Sequence, residues 1–275
     1  MSFSVNTNAG AMFALQNLNK TNQGLAMVQQ RINTGLKVSG ARDDGGIFAI
    51  AQSMRADIVG LGVVKDSLNR GISTVDIALS AGEAVSDLLV EMKAKTLAGS
   101  DTSLDTASRT ALNEDFKALR DQIATVVANA EFGGTNLINN STAQISLLAN
   151  ADGSAVITVA DEDLTLGGAT LSLAATASFS TAVEADNLAS TIATDLDRLN
   201  QALARLGTAS RSLSIHQDFV TKLSDETEKG VGNLVDADLA KESAKLQAFQ
   251  VKQQLGIQAL TIANQAPQAI LSFFN

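Results

Sequence analysis

His216 is the single histidine of a chain that contains no cysteine, so triad or metal-assisted chemistry would have to pass through it. Ser212, Ser214 and Asp218 lie beside it, and helical spacing would put Ser212 one turn before the ring. Nucleophiles are held by strained turns and cleft walls rather than by straight helices, so this segment reads as an exposed or partly packed helix histidine. A zinc-protease site would need HExxH, which one histidine cannot supply. The pairs Asp43-Asp44 and Asp236-Asp238 have the residue type of calcium ligands, yet both sit where helices should begin, and caps explain them more simply. No glycine pattern forms a phosphate cradle after a strand, and Gly60-Leu61-Gly62 reads as a helix-packing contact. No catalytic, cofactor or metal residue is therefore expected, and the chain is not expected to be an enzyme.

Composition points away from the same chemistries. The 275 residues carry a net charge of −9 without a basic cluster, which argues against nucleic acid as a partner. Ten Phe, no Trp and no Tyr, with abundant Ala, Leu and Ile, favour helix packing over a sandwich or barrel. Met1 to Asn8 has neither a positive n-region nor an apolar h-region, so no Sec-type signal is expected. No run of eighteen apolar residues occurs, so membrane insertion is not expected.

The elements that would position any function are concentrated at the two ends. Leu246 to Asn275 carry one charged side chain, Lys252, among seven glutamines, and residues 1–30 carry only Lys20 beside five asparagines and four glutamines. The apolar residues Leu246, Phe249, Val251, Leu255, Ile257, Leu260 and Ile262 pass most of the way round a helix, so one partner cannot cover them all. Helices of this kind are marginal alone, and the ends are expected to order as they pack against neighbours.

The spacing predicts a mainly α fold. Leu15, Leu18, Leu25 and Ile32 form a heptad stripe, with Asn22 at the open position, on a first helix ending near Thr34-Gly35. Asp43 and Asp44 should cap a long second helix reaching Gly99, with Gly60, Gly62, Gly71 and Gly82 each costing about 1 kcal/mol that packing must offset. A third helix follows Leu112, Phe116, Leu119 and Ile123, ending at Phe132-Gly133-Gly134. One or two β-hairpins are expected from Asn136 to about Thr181, with strands near Ala155 to Val159 and Leu164 to Leu173 and turns at Asp152-Gly153 and Gly167-Gly168. A heptad helix then runs from Leu188 to Leu223, the acidic joint Asp225 to Asn233 breaks it, and Asp236 caps the terminal helix. Pro267 should end or kink that helix near Gln265. The result is a long antiparallel coiled-coil or helical-bundle rod with a small β-hairpin insert, its N- and C-terminal helices paired.

Several motifs together resemble the bacterial flagellins over nearly the whole chain: Val5-Asn6-Thr7-Asn8, Asn17-Leu18-Asn19, Arg31-Ile32-Asn33-Thr34-Gly35-Leu36-Lys37-Val38 through Asp43-Asp44, Asn69-Arg70-Gly71-Ile72-Ser73, Phe132-Gly133-Gly134-Thr135-Asn136-Leu137, Asp236-Ala237-Asp238-Leu239-Ala240 and Ala263-Asn264-Gln265-Ala266-Pro267-Gln268. The resemblance implies an inner coiled-coil domain of residues 1–40 and 234–275 lining a channel. It implies a rod domain of residues 41–136 and 184–233, with 137–183 as a short outer insert. It also implies self-polymerisation into an extracellular flagellar filament for swimming, type III export with a chaperone, and cap and hook-associated partners. A hook-filament junction protein is the alternative.

The assembly interface expected from the ends is Leu15, Leu18, Leu25, Ile32, Leu246, Phe249, Leu255, Ile257, Leu260, Ile262, Phe273 and Phe274. Ser172, Thr176, Ser178, Ser180 and Thr181 are candidates for O-linked sugar, while Asn19-Lys20-Thr21 and Asn140-Ser141-Thr142 match N-linked sequons that recur by chance. Where receptor-recognised flagellins carry Leu-Gln-Arg-Met-Arg-Glu-Leu-Ala, this chain has Leu89-Val90-Glu91-Met92-Lys93-Ala94-Lys95-Thr96. Glu91 inverts a charge and Lys95 replaces an apolar anchor, so weak or no activation of the vertebrate innate receptor for flagellin is expected.

Overall fold

The computed structural model describes residues 7–271, with side-chain surroundings through Gln265. Five helices carry the chain: α1 Ala9–Thr34, α2 Gly45–Gly99, α3 Thr106–Asn129, α4 Ala182–Val235 and α5 Leu239–Leu271. Two small antiparallel pairs separate α3 from α4. β1 (Glu131–Phe132) faces β2 (Thr135–Asn136), and β3 (Gln144–Leu148) faces β4 (Val156–Ala160) in a register that sets Ser146 opposite Thr158.

The helix boundaries follow local chemistry. Gly35 closes α1 in the left-handed conformation at φ 71°, its N–H reaching the Arg31 carbonyl. Asp44 Oδ1 accepts from Gly46 and Ile47 N–H and so caps α2, whereas Asp43 binds Ser39 through both N–H and Oγ. Asp105 caps α3 by accepting from Ser108 N–H at 2.7 Å. At α4, Thr181 Oγ1 accepts from Glu184 N–H while Glu184 Oε2 accepts from the Thr181 and Ser180 N–H groups, a reciprocal capping box.

The chain divides into two units, Met1–Ala56 with Glu226–Asn275, and Asp57–Asp225, with the boundary falling inside α2 and α4. The second unit holds the contiguous core. Leu68, Val75, Leu89 and Met92 of α2, Phe116 and Ile123 of α3, and Ile192, Leu199 and Leu213 of α4 are fully buried in it. Each such side chain contributes about 1.5–3 kcal/mol on burial. Phe116 and Phe179 meet edge to face at 5.6 Å, and Asn113 Oδ1 receives the Phe179 N–H at 2.9 Å. The β3-β4 hairpin docks by Leu147 and Val159, with the Leu147 side chain lying where a Cβ on Gly71 would stand. That close approach gives the mid-helix glycine its role.

Six expectations change, one being that α5 continues past Pro267 to Leu271 instead of ending near Gln265. α4 runs unbroken through Gly230 and Gly232 to Val235; within its own unit Gly230 receives Met54 Cε, which a Cβ would meet at 2.7 Å, so packing offsets the helix-breaking tendency. α5 is capped by Asp238, whose Oδ1 accepts from Lys241 N–H, while Asp236 pairs with Leu36 in an isolated antiparallel bridge. Leu164 to Leu173 form no strand beyond a Leu166–Leu171 bridge, because carboxylates take their amides: Asp163 accepts from Thr165 and Ala169 N–H, and Asp195 from Ser172 and Leu173 N–H. α3 stops at Asn129, and Gly133 and Gly134, at φ 57° and 84°, form the turn of the β1-β2 hairpin. Gly60 packs against the hairpin loop at Ala151 rather than against a helix, and no atom lies near a Cβ built on Gly62.

By length and composition α2 also contains a window apolar enough to cross a membrane, at mean hydropathy 1.5, although it holds no uninterrupted apolar run. His216 lies on α4 with Nε2–H donating to the Ala149 carbonyl at 2.8 Å, a packing role at the hairpin.

Candidate assembly interface

Within the first unit the two ends of the chain meet. Asn8 bonds Ala263, Leu18 lies beside Gly256, Asn22 accepts from Gln253 at 2.8 Å, Gly24 lies under Phe249, and Arg31 stands 3.7 Å from Glu242. Position rises along α1 as it falls along α5, so the pair is antiparallel. Its closeness comes from two glycines: a Cβ on Gly24 would stand 2.7 Å from the Phe249 ring, and one on Gly256 3.2 Å from Leu18 Cδ1. Asn22, the open heptad position, spends its amide oxygen on Gln253, a neutral bond where a charge would require costlier desolvation. Beyond α1, Lys37 and Val38 N–H donate to the Val235 carbonyl and Ala237 N–H to Gly35, closing the joint between the helices.

The sequence-predicted interface residues separate into two groups. Leu18, Leu25, Ile32, Leu246, Phe249 and Leu260 are half-buried, and Leu18 and Phe249 lie in the α1-α5 seam. Leu15, Leu255, Ile257 and Ile262 are exposed, the last by 67%. Phe273 and Phe274 lie outside the described residues. Met12, Phe13 and Met27 on α1, and Val251 on α5, are exposed in the same way and belong with this second group. The amphipathic stripe missed the α1 residues because they fall off its heptad positions; their signal was the low charge around them. Met12 and Phe13, with Ala9 and Gln16, also line a concavity of about 360 Å³.

Charged contacts within the unit include the Arg31–Glu242–Lys245 cluster and the Lys229–Glu226 pair. Glu242 is buried; its Oε1 binds Lys245 at 2.5 Å, and its Oε2 lacks a hydrogen-bond partner among the described residues. Lys252 stands over the Phe249 ring at 5.5 Å.

Residues 5–143 match the bacterial flagellin N-terminal helical region, and residues 189–274 match the bacterial flagellin C-terminal helical region. The chain belongs to the bacterial flagellin family. Flagellin FljM of Caulobacter vibrioides is 56% identical over 271 residues, covering 98% of each chain. A flagellin of Brucella melitensis is 37% identical over 284 residues, covering 98% of this flagellin and 99% of that one. Among solved structures, a putative flagellar hook-associated protein from Vibrio parahaemolyticus matches with TM-score 0.59 over 70% of this chain and 100% of that chain, at 13% identity. At that identity the likeness concerns the fold alone.

The other predicted positions lie in the second unit. Glu91 is exposed on α2, and Lys95 is held to Asp115 of α3 at 2.7 Å. Ser172, Thr176, Ser178, Ser180 and Thr181 are all exposed, but their hydroxyls differ. Ser172 donates to buried Asp195, Ser180 donates to Glu184, and Thr181 accepts from the Glu184 N–H.

Proposed function

We propose that this flagellin builds the extracellular flagellar filament through the uncovered faces of α1 and α5. It is a structural filament subunit that self-polymerises, and motility is the function of the assembly. The observation that carries the surface assignment is a shortage of burial. Among the described residues α1 fully buries Val28 alone, and Glu242 is the only fully buried residue of α5, while Phe13, Leu15, Leu255, Ile257 and Ile262 stay exposed on a nearly uncharged surface. Monomers rarely leave large apolar surface exposed without a partner, and neighbouring copies supply one of matching chemistry. Folding of the ends is then completed by assembly. The exposed apolar side chains of α2, among them Ile50, Val59 and Val63, fit the same subunit-facing reading better than a lipid one.

In this reading residues 1–40 and 234–275 form the inner domain around the channel, residues 41–136 and 184–233 the rod, and 137–183 the outer insert. The type III export apparatus and an export chaperone handle the chain before assembly, and cap and hook-associated proteins meet it afterwards. Catalysis is not part of the role, which accords with the structural character of the family. The sequence relatives from Caulobacter vibrioides and Brucella melitensis are themselves flagellins, which favours the filament over the hook-filament junction.

Two further assignments accompany it. Thr176 and Ser178 are the better O-glycan acceptors, since Ser172, Ser180 and Thr181 spend their hydroxyls on structural bonds. Glu91 and the Lys95–Asp115 pair make the receptor patch inactive; a receptor-reporter response equal to that of an enteric flagellin would refute this. The filament surface is tested by deleting residues 246–275. The truncated chain is expected to stay helical by circular dichroism and to form no filaments in electron micrographs; filaments from it would overturn the assignment.

A further inference from the structure

Asn8 stands where the two ends of the chain converge. Its Oδ1 accepts from the Ala11 N–H at 3.0 Å and so caps α1, while its Nδ2 donates to the Ala263 carbonyl at 2.7 Å across 255 residues of sequence. In an α-helix the carbonyl of residue 263 accepts from the N–H of residue 267. Residue 267 is proline and has no N–H to give. α5 nevertheless continues to Leu271, past the point where the proline was expected to end it. The carbonyl deprived of its helical donor is the one that the asparagine reaches from the other end of the chain. A Cβ on Gly10 would lie 3.8 Å from Ala263 Cβ, in ordinary contact, so the helices approach closely here without requiring glycine.

We propose that Asn8 is a positioning residue for assembly: a polar clamp that replaces the hydrogen bond withheld by Pro267 and sets the register of α1 against α5. The clamp rests on the reading that the outer faces of this pair form the filament interface. Apolar seams can slip by a turn, whereas an amide matched to one deprived carbonyl holds a single register, as a lone asparagine does in coiled coils. The side chain must accept and donate at once. Asparagine does both, aspartate cannot donate, and serine caps a helix but is too short to reach α5.

The test is a double-mutant cycle on the full chain, read as the critical concentration for seeded polymerisation. Asn8→Ser keeps the cap and removes the clamp. Pro267→Ala returns an N–H to the Ala263 carbonyl. Asn8→Ser is expected to raise the critical concentration about fivefold in the native background, the factor carried by one neutral hydrogen bond. In the Pro267→Ala background it should have little effect. Equal effects in both backgrounds, with filaments otherwise forming, would overturn the clamp and leave the filament reading standing. Failure of the unmutated chain to polymerise would count against both. If a variant does not assemble, solid-state NMR of the native filament decides: a cross-peak between the Asn8 side-chain nitrogen and the Ala263 carbonyl carbon supports the clamp, and its absence overturns it.

Discussion

The unit spanning Asp57–Asp225 and the terminal pair α1-α5 are both helical, and they solve the burial problem in opposite ways. In the former, three helices and a hairpin converge on one core, so that Leu68, Phe116, Ile123 and Leu199 are sealed within a single chain. In the latter, two helices share one seam, deepened by Gly24 and Gly256, and among the described residues Phe13, Leu15, Leu255, Ile257 and Ile262 stay exposed. Two helices have only one mutual interface, whereas α1 and α5 are apolar over much more than one stripe. One unit closes its core within the chain, and the other leaves much of its apolar surface exposed.

The largest effect expected from this contrast is Phe116→Ala. Removing a fully buried ring that also stacks on Phe179 should cost about 3–5 kcal/mol of monomer stability, seen as a lowered melting temperature. Leu255→Ala should do the reverse: leave monomer melting within about 0.5 kcal/mol and raise the critical concentration for polymerisation roughly tenfold, as loss of a leucine buried between subunits would. If Leu255→Ala instead melted the monomer and spared assembly, the contrast would fail.

The smallest effect sharpens the closed unit through pH. Burial, then the neighbouring Asp163 and Glu162, push the Asp161 carboxyl from 3.8 up to about 6. The folded state thus holds this proton more tightly than the unfolded chain does. The associated stability is present below about pH 4 and is lost as pH rises through 6. Asp161→Asn should stabilise the protein above pH 6 by about 1 kcal/mol, after allowance for solvent screening, and give no gain below pH 4. Denaturation midpoints at pH 4 and 8 check it; an equal change at both would remove the carboxylate from the account.

Much of the design was legible. Asn22 and Leu18 marked the α1 seam, and Gly35 marked the end of the helix, whereas Leu15 of the same heptad stripe is exposed. Less legible were features in which a remote residue reverses a local tendency. Gly230 looked like a helix break until Met54 filled its space, and Leu164 to Leu173 looked like strand until Asp163 and Asp195 took their amides. Met12 and Phe13 escaped the heptad because exposure, unlike periodicity, is a property of what stands opposite.

The sequence by itself determined the helices, their apolar stripes, the lack of charge at both ends and the family, because these depend on residue types at short spacing. Only the tertiary structure decided which carbonyl Asn8 reaches, where α4 and α5 continue past glycine and proline, and which apolar residues remain uncovered. Each of those depends on groups distant in the chain, and no local pattern records their meeting.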